Sequence, residues 1–233
     1  MQNAYENRLE GVYSCNIPTE GKKIENYSCT VRYGASPAVK CAKPRVLIPV
    51  FPGTNCEYDS AKAVRDAGAE AEIYVINNLT SDGISRSVEE FARLVRDSQI
   101  VFIPGGFSGG DEPDGSGKFI TAFFRSAAVR EAVGELLDVR GGLMCGICNG
   151  FQALIKLGLV PYGKIIDTDA HCPTLTFNTI GRHQSKIVRT RVASVKSPWL
   201  SGCEVGHIYS LPISHSHKLF IPHQNLLPQL PPN

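Results

Sequence analysis

Between Pro44 and Gly158 the sequence alternates four times between a short apolar run and a segment with helical spacing, and this alternation decides the fold class. PRVLIPVFPG is an almost continuous apolar run ending in Pro-Gly, the pattern of a strand buried on both faces. TNCEYDSAKAVRDAGA follows with small or apolar residues at helical spacing and closes on Gly68. AEIYVIN is a second strand, and SRSVEEFARLVRDS a second helix with Val88, Phe91, Leu94 and Val95 on one face. QIVFIPGG is a third strand, KFITAFFRSAAVREAVGELL a long helix, and GGLMCGI a fourth strand running into FQALIKLG. Such repetition predicts an α/β domain built on a doubly wound, mostly parallel sheet with right-handed crossovers. After Gly163 the helical spacing stops, and PTLTFNTIG with SKIVRTRVAS are expected as added antiparallel strands laid beside the sheet. Residues 1–43 are polar, with only short strand-like pieces such as GVYSC and YSCTVRYG.

In a sheet of this kind, ligands collect at the C-terminal ends of the strands. The corners PGTN, PGGFSGGD and CGICNGF all fall there, so they should share one rim. Composition removes several other function classes. A formal net charge of +2 argues against nucleic acid as the main partner, since that binding scales with clustered Lys and Arg. No apolar run approaches the about 20 residues needed to span a bilayer. MQNAYENRLEG has no apolar core of a secretion signal, so the eight cysteines read as reduced thiols of a cytoplasmic protein.

Two of those cysteines stand three apart in GGLMCGICNGFQALIKLG. A structural zinc site needs about four ligands, and the remaining cysteines (15, 29, 41, 56, 172, 203) are scattered singly, so no metal is expected. A thioredoxin-like C-x-x-C oxidoreductase also places its pair after a strand and before a helix, but three further strand–helix units precede this one. Cys145 alone reads as a buried strand residue. Cys148 reads differently, because G-I-C-N-G follows the logic of G-x-S-x-G. Small residues on both sides let a strand turn sharply into a helix and expose the middle side chain. There the thiol faces the positive end of the helix dipole, where a thiolate is favoured. The backbone N–H of Asn149 is placed to stabilise an oxyanion, with a second donor from the neighbouring GGFSGGD corner, where Gly105 and Gly106 let the backbone approach a substrate. That stretch lacks G-x-G-x-x-G spacing, and it fails as a phosphate loop because position 112 is Glu and no Ser or Thr follows Lys118. A plain surface loop is its other reading.

Strand–PGG–loop followed by G-x-C-x-G-x-Q resembles the glutaminase module of class I glutamine amidotransferases. More narrowly, FPGTNCE, PGGFSGGDEPDGSGKF, CGICNGFQALIKLG and CPTLTFN resemble the C-terminal glutaminase domain of the phosphoribosylformylglycinamidine synthase family. The resemblance implies a flavodoxin-like sheet, a γ-glutamyl thioester on Cys148, and ammonia passed to a synthase module in purine biosynthesis. It also implies Gly106 and Asn149 as oxyanion donors, with Gly105 and Gln152 in glutamine binding. No cofactor is implied for this domain, since ATP and Mg would belong to the synthase portion. Residues 1–43 would then be the linker or tail of an upstream synthase portion, 44–214 the amidotransferase domain, and 215–233 an atypical Pro-rich tail.

The family completes its site with a His, and a Glu two residues later, near the C-terminus. The chemistry needs a base for the thiol proton and a carboxylate to orient the imidazole. Beyond Cys148 the carboxylates are Asp167, Asp169 and Glu204, and none stands two residues after a histidine. Resemblance stops at His215, as in a truncated chain. His217 and His223 are candidate substitutes, while Asp169 and His171 stand in the reverse order. The expectation is a ligase-family glutaminase impaired in turnover, and the alternative is a non-catalytic fragment that keeps the fold and glutamine binding. The basic run Arg182, Lys186, Arg189, Arg191 and Lys196 reads as a solvated strand face, or else as a docking surface for the synthase module.

Overall fold

The structure, a computed structural model, describes residues 27–32, 34, 38, 40–107, 117–169, 172–176, 178, 182–215 and 219–221. His171, His217, His223, the 108–116 part of the glycine-rich loop and most of the two terminal segments lie outside the described residues. The chain divides into two units, one comprising Ser36–Thr174 and the other Met1–Ala35 with Leu175–Asn233.

In the first unit, β1 (Arg45–Val50), β2 (Glu70–Val75), β3 (Ile100–Ile103) and β4 (Leu143–Gly146) form one sheet in the order β2-β1-β3-β4. Every pairing is parallel. Helices α1 (Glu57–Asp66), α2 (Ser81–Asp97), α3 (Lys118–Phe124), α4 (Ala127–Gly134) and α5 (Asn149–Leu157) supply the connections and the cover. This is the flavodoxin-like, doubly wound architecture that the alternating pattern foretells. The period of two along β1 separates its faces: Val46 and Ile48 pack with Ala61 of α1, and Leu47 packs with α2 to α5. Strand order reverses between β1 and β3, so the crevice lies where their C-terminal corners meet.

On the α2 side the core is aromatic. Phe91 is fully buried, with ring centroids 5.5 Å from Phe123, 5.6 Å from Phe124 and 6.2 Å from Tyr74. Phe51, just past β1, reaches the same cluster at 5.4 Å from Phe123 and so anchors the corner that follows it. Helix α2 presents Phe91, Leu94 and Val95 to this core, as its spacing predicts, with Val88 packed at the edge. Thr80 caps its first turn by accepting from the Gly83 N–H at 3.0 Å. Arg140 closes its last turn by donating to the Val95, Arg96 and Ser98 carbonyls. Truncating Phe91→Ala should lower unfolding stability by about 3–5 kcal/mol, read from urea titration. Loss of a few tenths only would mean that the cluster is not packed as described.

The long helix expected over 118–137 is broken. At Ser126 ψ swings to 142°, and the residue becomes the cap of α4, its carbonyl accepting from Arg130 N–H. The Ser126 hydroxyl donates to the Phe123 carbonyl at 2.7 Å, one of the local bonds by which Ser competes with helix. The break lets Phe123 and Phe124 before it, and Val129, Ala132 and Val133 after it, all reach the core. A π-helical turn, Glu135–Val139, then ends this connection.

The antiparallel strands expected after residue 163 are present. β6 (Gln184–Arg191) pairs antiparallel with β7 (Ile208–His215), while β5 (Thr174–Thr176) pairs with β8 (Leu219–Ile221). The two sequence segments thus join separate two-stranded ladders. Lys186 and the pair Arg189 and Arg191 alternate across the two faces of β6, so the basic run is not one face. Lys186, Arg189 and Lys196 are exposed, whereas Arg191 is half-buried and donates to the Ser28 hydroxyl and the Tyr27 carbonyl. Among the described residues, no helix is long and apolar enough to cross a membrane.

Candidate active site

The turn from β4 into α5 is sharp because two glycines allow it. A Cβ on Gly150 would collide with the Ile103 carbonyl oxygen, and one on Gly146 would lie 2.6 Å from the Gly150 carbonyl group. The first turn of α5 therefore rests directly on the ends of β3 and β4, a contact that side chains would hold apart. Cys148 sits between these glycines at φ 53° and ψ −107°, a strained conformation for a residue with a side chain. Its thiol is exposed on the rim. Among the described residues, only Cys148 and Cys56 combine a side chain with positive φ, and both stand at corners of this rim.

Cys145, three residues earlier, lies in β4 paired with Phe102 and is half-buried. Burial pushes its thiol above the usual range, only partly offset by a backbone hydrogen bond at Gly146. Both cysteines are free thiols. Among the described residues, no group of three or more His, Cys, Asp or Glu is gathered as a metal site.

The corner after β3 meets this elbow. A Cβ on Gly105 would lie 3.1 Å from the Cys148 Cβ and 4.0 Å from its Sγ, which places the Gly105 backbone against the thiol. Two backbone hydrogen bonds tie the same corner to the corner after β1. Asn55 N–H donates to the Gly105 carbonyl at 2.9 Å, and Phe107 N–H donates to the Gly53 carbonyl at 2.8 Å. These bonds fix the direction of the residue between them. In the trans 105–106 peptide the Gly105 C=O points to the β1 side, so the Gly106 N–H points the opposite way. Since β3 lies between β1 and β4, that direction is toward the Cys148 elbow. The Gly106 carbonyl faces the same side and accepts from the Asn149 side-chain Nδ2 at 3.0 Å. Among the described residues, the Gly106 N–H meets no acceptor.

Asn149 and Gln152 are both buried in the first turn of α5, and the Gln152 N–H donates to the Cys148 carbonyl at 3.0 Å. The five residues singled out in the sequence (Gly105, Gly106, Cys148, Asn149 and Gln152) thus occupy two touching corners and one helical turn. Sequence reasoning missed the Asn149 side chain and the Thr54–Asn55 backbone. The signal for Thr54 and Asn55 is the PGTN corner, legible as part of the rim. Thr54 holds that corner closed, its hydroxyl accepting from the Phe51 N–H at 2.9 Å.

An exposed thiol on a strand-to-helix elbow, beside a glycine corner at the C-terminal edge of a parallel sheet, defines an α/β protein of the nucleophile-elbow class. The chain belongs to the family of CobB/CobQ-like glutamine amidotransferase domains, whose model matches residues 43–231. It is 36% identical over 172 residues to phosphoribosylformylglycinamidine synthase subunit PurQ of Symbiobacterium thermophilum, a match covering 73% of this chain and 60% of that protein. The subunit of the same name from Treponema denticola is 35% identical over 187 residues, 77% of this chain and 64% of that protein. Among solved structures, PurLQS from Thermotoga maritima matches with a TM-score of 0.55 and 26% identity, covering 77% of this chain and 70% of that one. The family that the sequence motifs suggest is the family found.

Proposed function

We propose that the chain carries a glutaminase site in which Cys148 attacks the γ-carbonyl of glutamine. The S–C bond of a γ-glutamyl thioester forms and the C–N bond breaks, with the nitrogen leaving as ammonia once protonated. The Gly106 and Asn149 N–H groups bind the oxyanion, while Gly105 and Gln152 line the glutamine site. The observation that carries this reading is Cys148 itself, strained, exposed and pressed against Gly105. The relatives are named as subunits of phosphoribosylformylglycinamidine synthase, and on that basis the ammonia passes to a synthase module in purine biosynthesis. ATP and Mg belong to that module, and this domain takes no cofactor.

Limiting treatment with a glutamine-like chloroketone, followed by peptide mass spectrometry, should give one adduct, on the peptide containing Cys148. Equal labelling of all cysteines, or labelling of Cys145 alone, overturns the assignment. A second reading, glutamine binding with little turnover, is favoured by one observation. Beyond Cys148, none of Asp167, Asp169 and Glu204 stands two residues after a histidine. A positioned acid–base group is worth about 10²–10⁴-fold, so ammonia release measured beside labelling separates the two. Labelling without ammonia supports the second reading, and both together support the first.

A further inference from the structure

We propose that the Asn149 carboxamide and the 53–55 corner form a two-sided clamp that sets the direction of the Gly106 N–H, which makes Asn149 a positioning residue through its side chain. The proposal rests on the glutaminase reading above. On the β1 side, Asn55 N–H and the Gly53 carbonyl hold the Gly105 carbonyl and the Phe107 N–H. On the elbow side, Asn149 Nδ2 holds the Gly106 carbonyl at 3.0 Å. A glycine corner has little intrinsic preference between orientations of its peptides, so these bonds decide which way the N–H faces. Removing the Asn149 donor frees the Gly106 carbonyl to turn toward water, and the 105–106 peptide can follow it. The clamp is also short. Asn149 directly follows the nucleophile, so one residue couples the position of Cys148 to that of the donor across from it. Asn149 is buried at the head of α5.

The test compares two reactions of the same thiol in the whole chain. With an activated γ-glutamyl ester such as the p-nitrophenyl ester, Cys148 attacks the carbonyl carbon, the S–C bond forms through an oxyanion, and p-nitrophenolate departs with the electron pair. No protonation of the leaving group is needed. With iodoacetamide, the thiolate displaces iodide at a saturated carbon and no oxyanion develops. Asn149→Leu keeps side-chain volume and neutrality but removes the donor, and Asn149→Ala is the second variant. Both should lower the ratio of acylation to alkylation roughly 10- to 100-fold, the scale of a misplaced oxyanion donor. An unchanged ratio in a folded variant overturns the clamp and leaves the nucleophile reading standing. A parallel fall of both reactions also overturns it, because Asn149 would then support only the elbow. Absence of Cys148 acylation in the unsubstituted chain overturns the glutaminase reading on which the clamp depends.

Discussion

Replacing Cys148 with alanine is expected to abolish acylation by an activated γ-glutamyl ester, while Cys145→Ala leaves the rate close to that of the unsubstituted chain. The two thiols are three residues apart, yet their surroundings oppose each other. Cys145 is half-buried in a paired strand, and burial keeps its proton on at neutral pH. Cys148 is exposed at the first turn of α5, and the Gly105 backbone forms one wall beside it. A nucleophile cannot be replaced by its neighbours unless they reach the same carbonyl, so loss should be complete to the limit of detection. The measurement is p-nitrophenolate release together with the intact mass of the protein. Residual acylation of the Cys148→Ala variant at the original rate would move the nucleophile elsewhere, and Cys56, the other strained corner thiol, would be the next position to map.

What the sequence made legible follows from which forces act locally. The strand–helix alternation, the buried face of α2 and the gathering of three corners on one rim are all read from periodicity, because period 2 and period 3.6 directly record which side of an element is covered. The Cys148 elbow was legible for a related reason. Glycine at 150 allows the contact with Ile103 and glycine at 146 the contact with Gly150, and that requirement is written in the residue types. The break at Ser126 was not legible. A run such as FFRSAAV satisfies helical spacing throughout, and only the demand that both Phe124 and Val129 reach one core selects the bend. After residue 173 only β5 and β6 were legible as strands, while β7, β8 and the pairings were not, since register depends on partners distant in sequence. The Asn149 carboxamide was hidden likewise. The motif points only to its backbone, whereas its side-chain bond to the Gly106 carbonyl spans 43 positions and exists only after the sheet has formed.

Gly106→Ala should cost about 10²–10³-fold in acylation by the activated ester, with alkylation by iodoacetamide largely retained. Gly106 has φ +136°, outside the range that a residue with a Cβ adopts readily. The added methyl would collide with the Gly53 carbonyl oxygen, and would lie 2.7 Å from Asn55 N and 2.9 Å from Thr54 Cα. All three are backbone atoms of a corner anchored by Phe51, so a rotamer change cannot relieve the contact. The bridge between the two corners must open instead, and the Gly106 N–H loses its direction toward the thiol. Gly134→Ala is the matched control. That glycine has helical φ of −59° and nothing within 4 Å of the new methyl, so the change should raise stability by about 0.5–1 kcal/mol. Acylation by Gly106→Ala at the rate of the Gly134→Ala control would show that the Gly106 N–H takes no part in the chemistry. The oxyanion would then need a donor on another element of the rim.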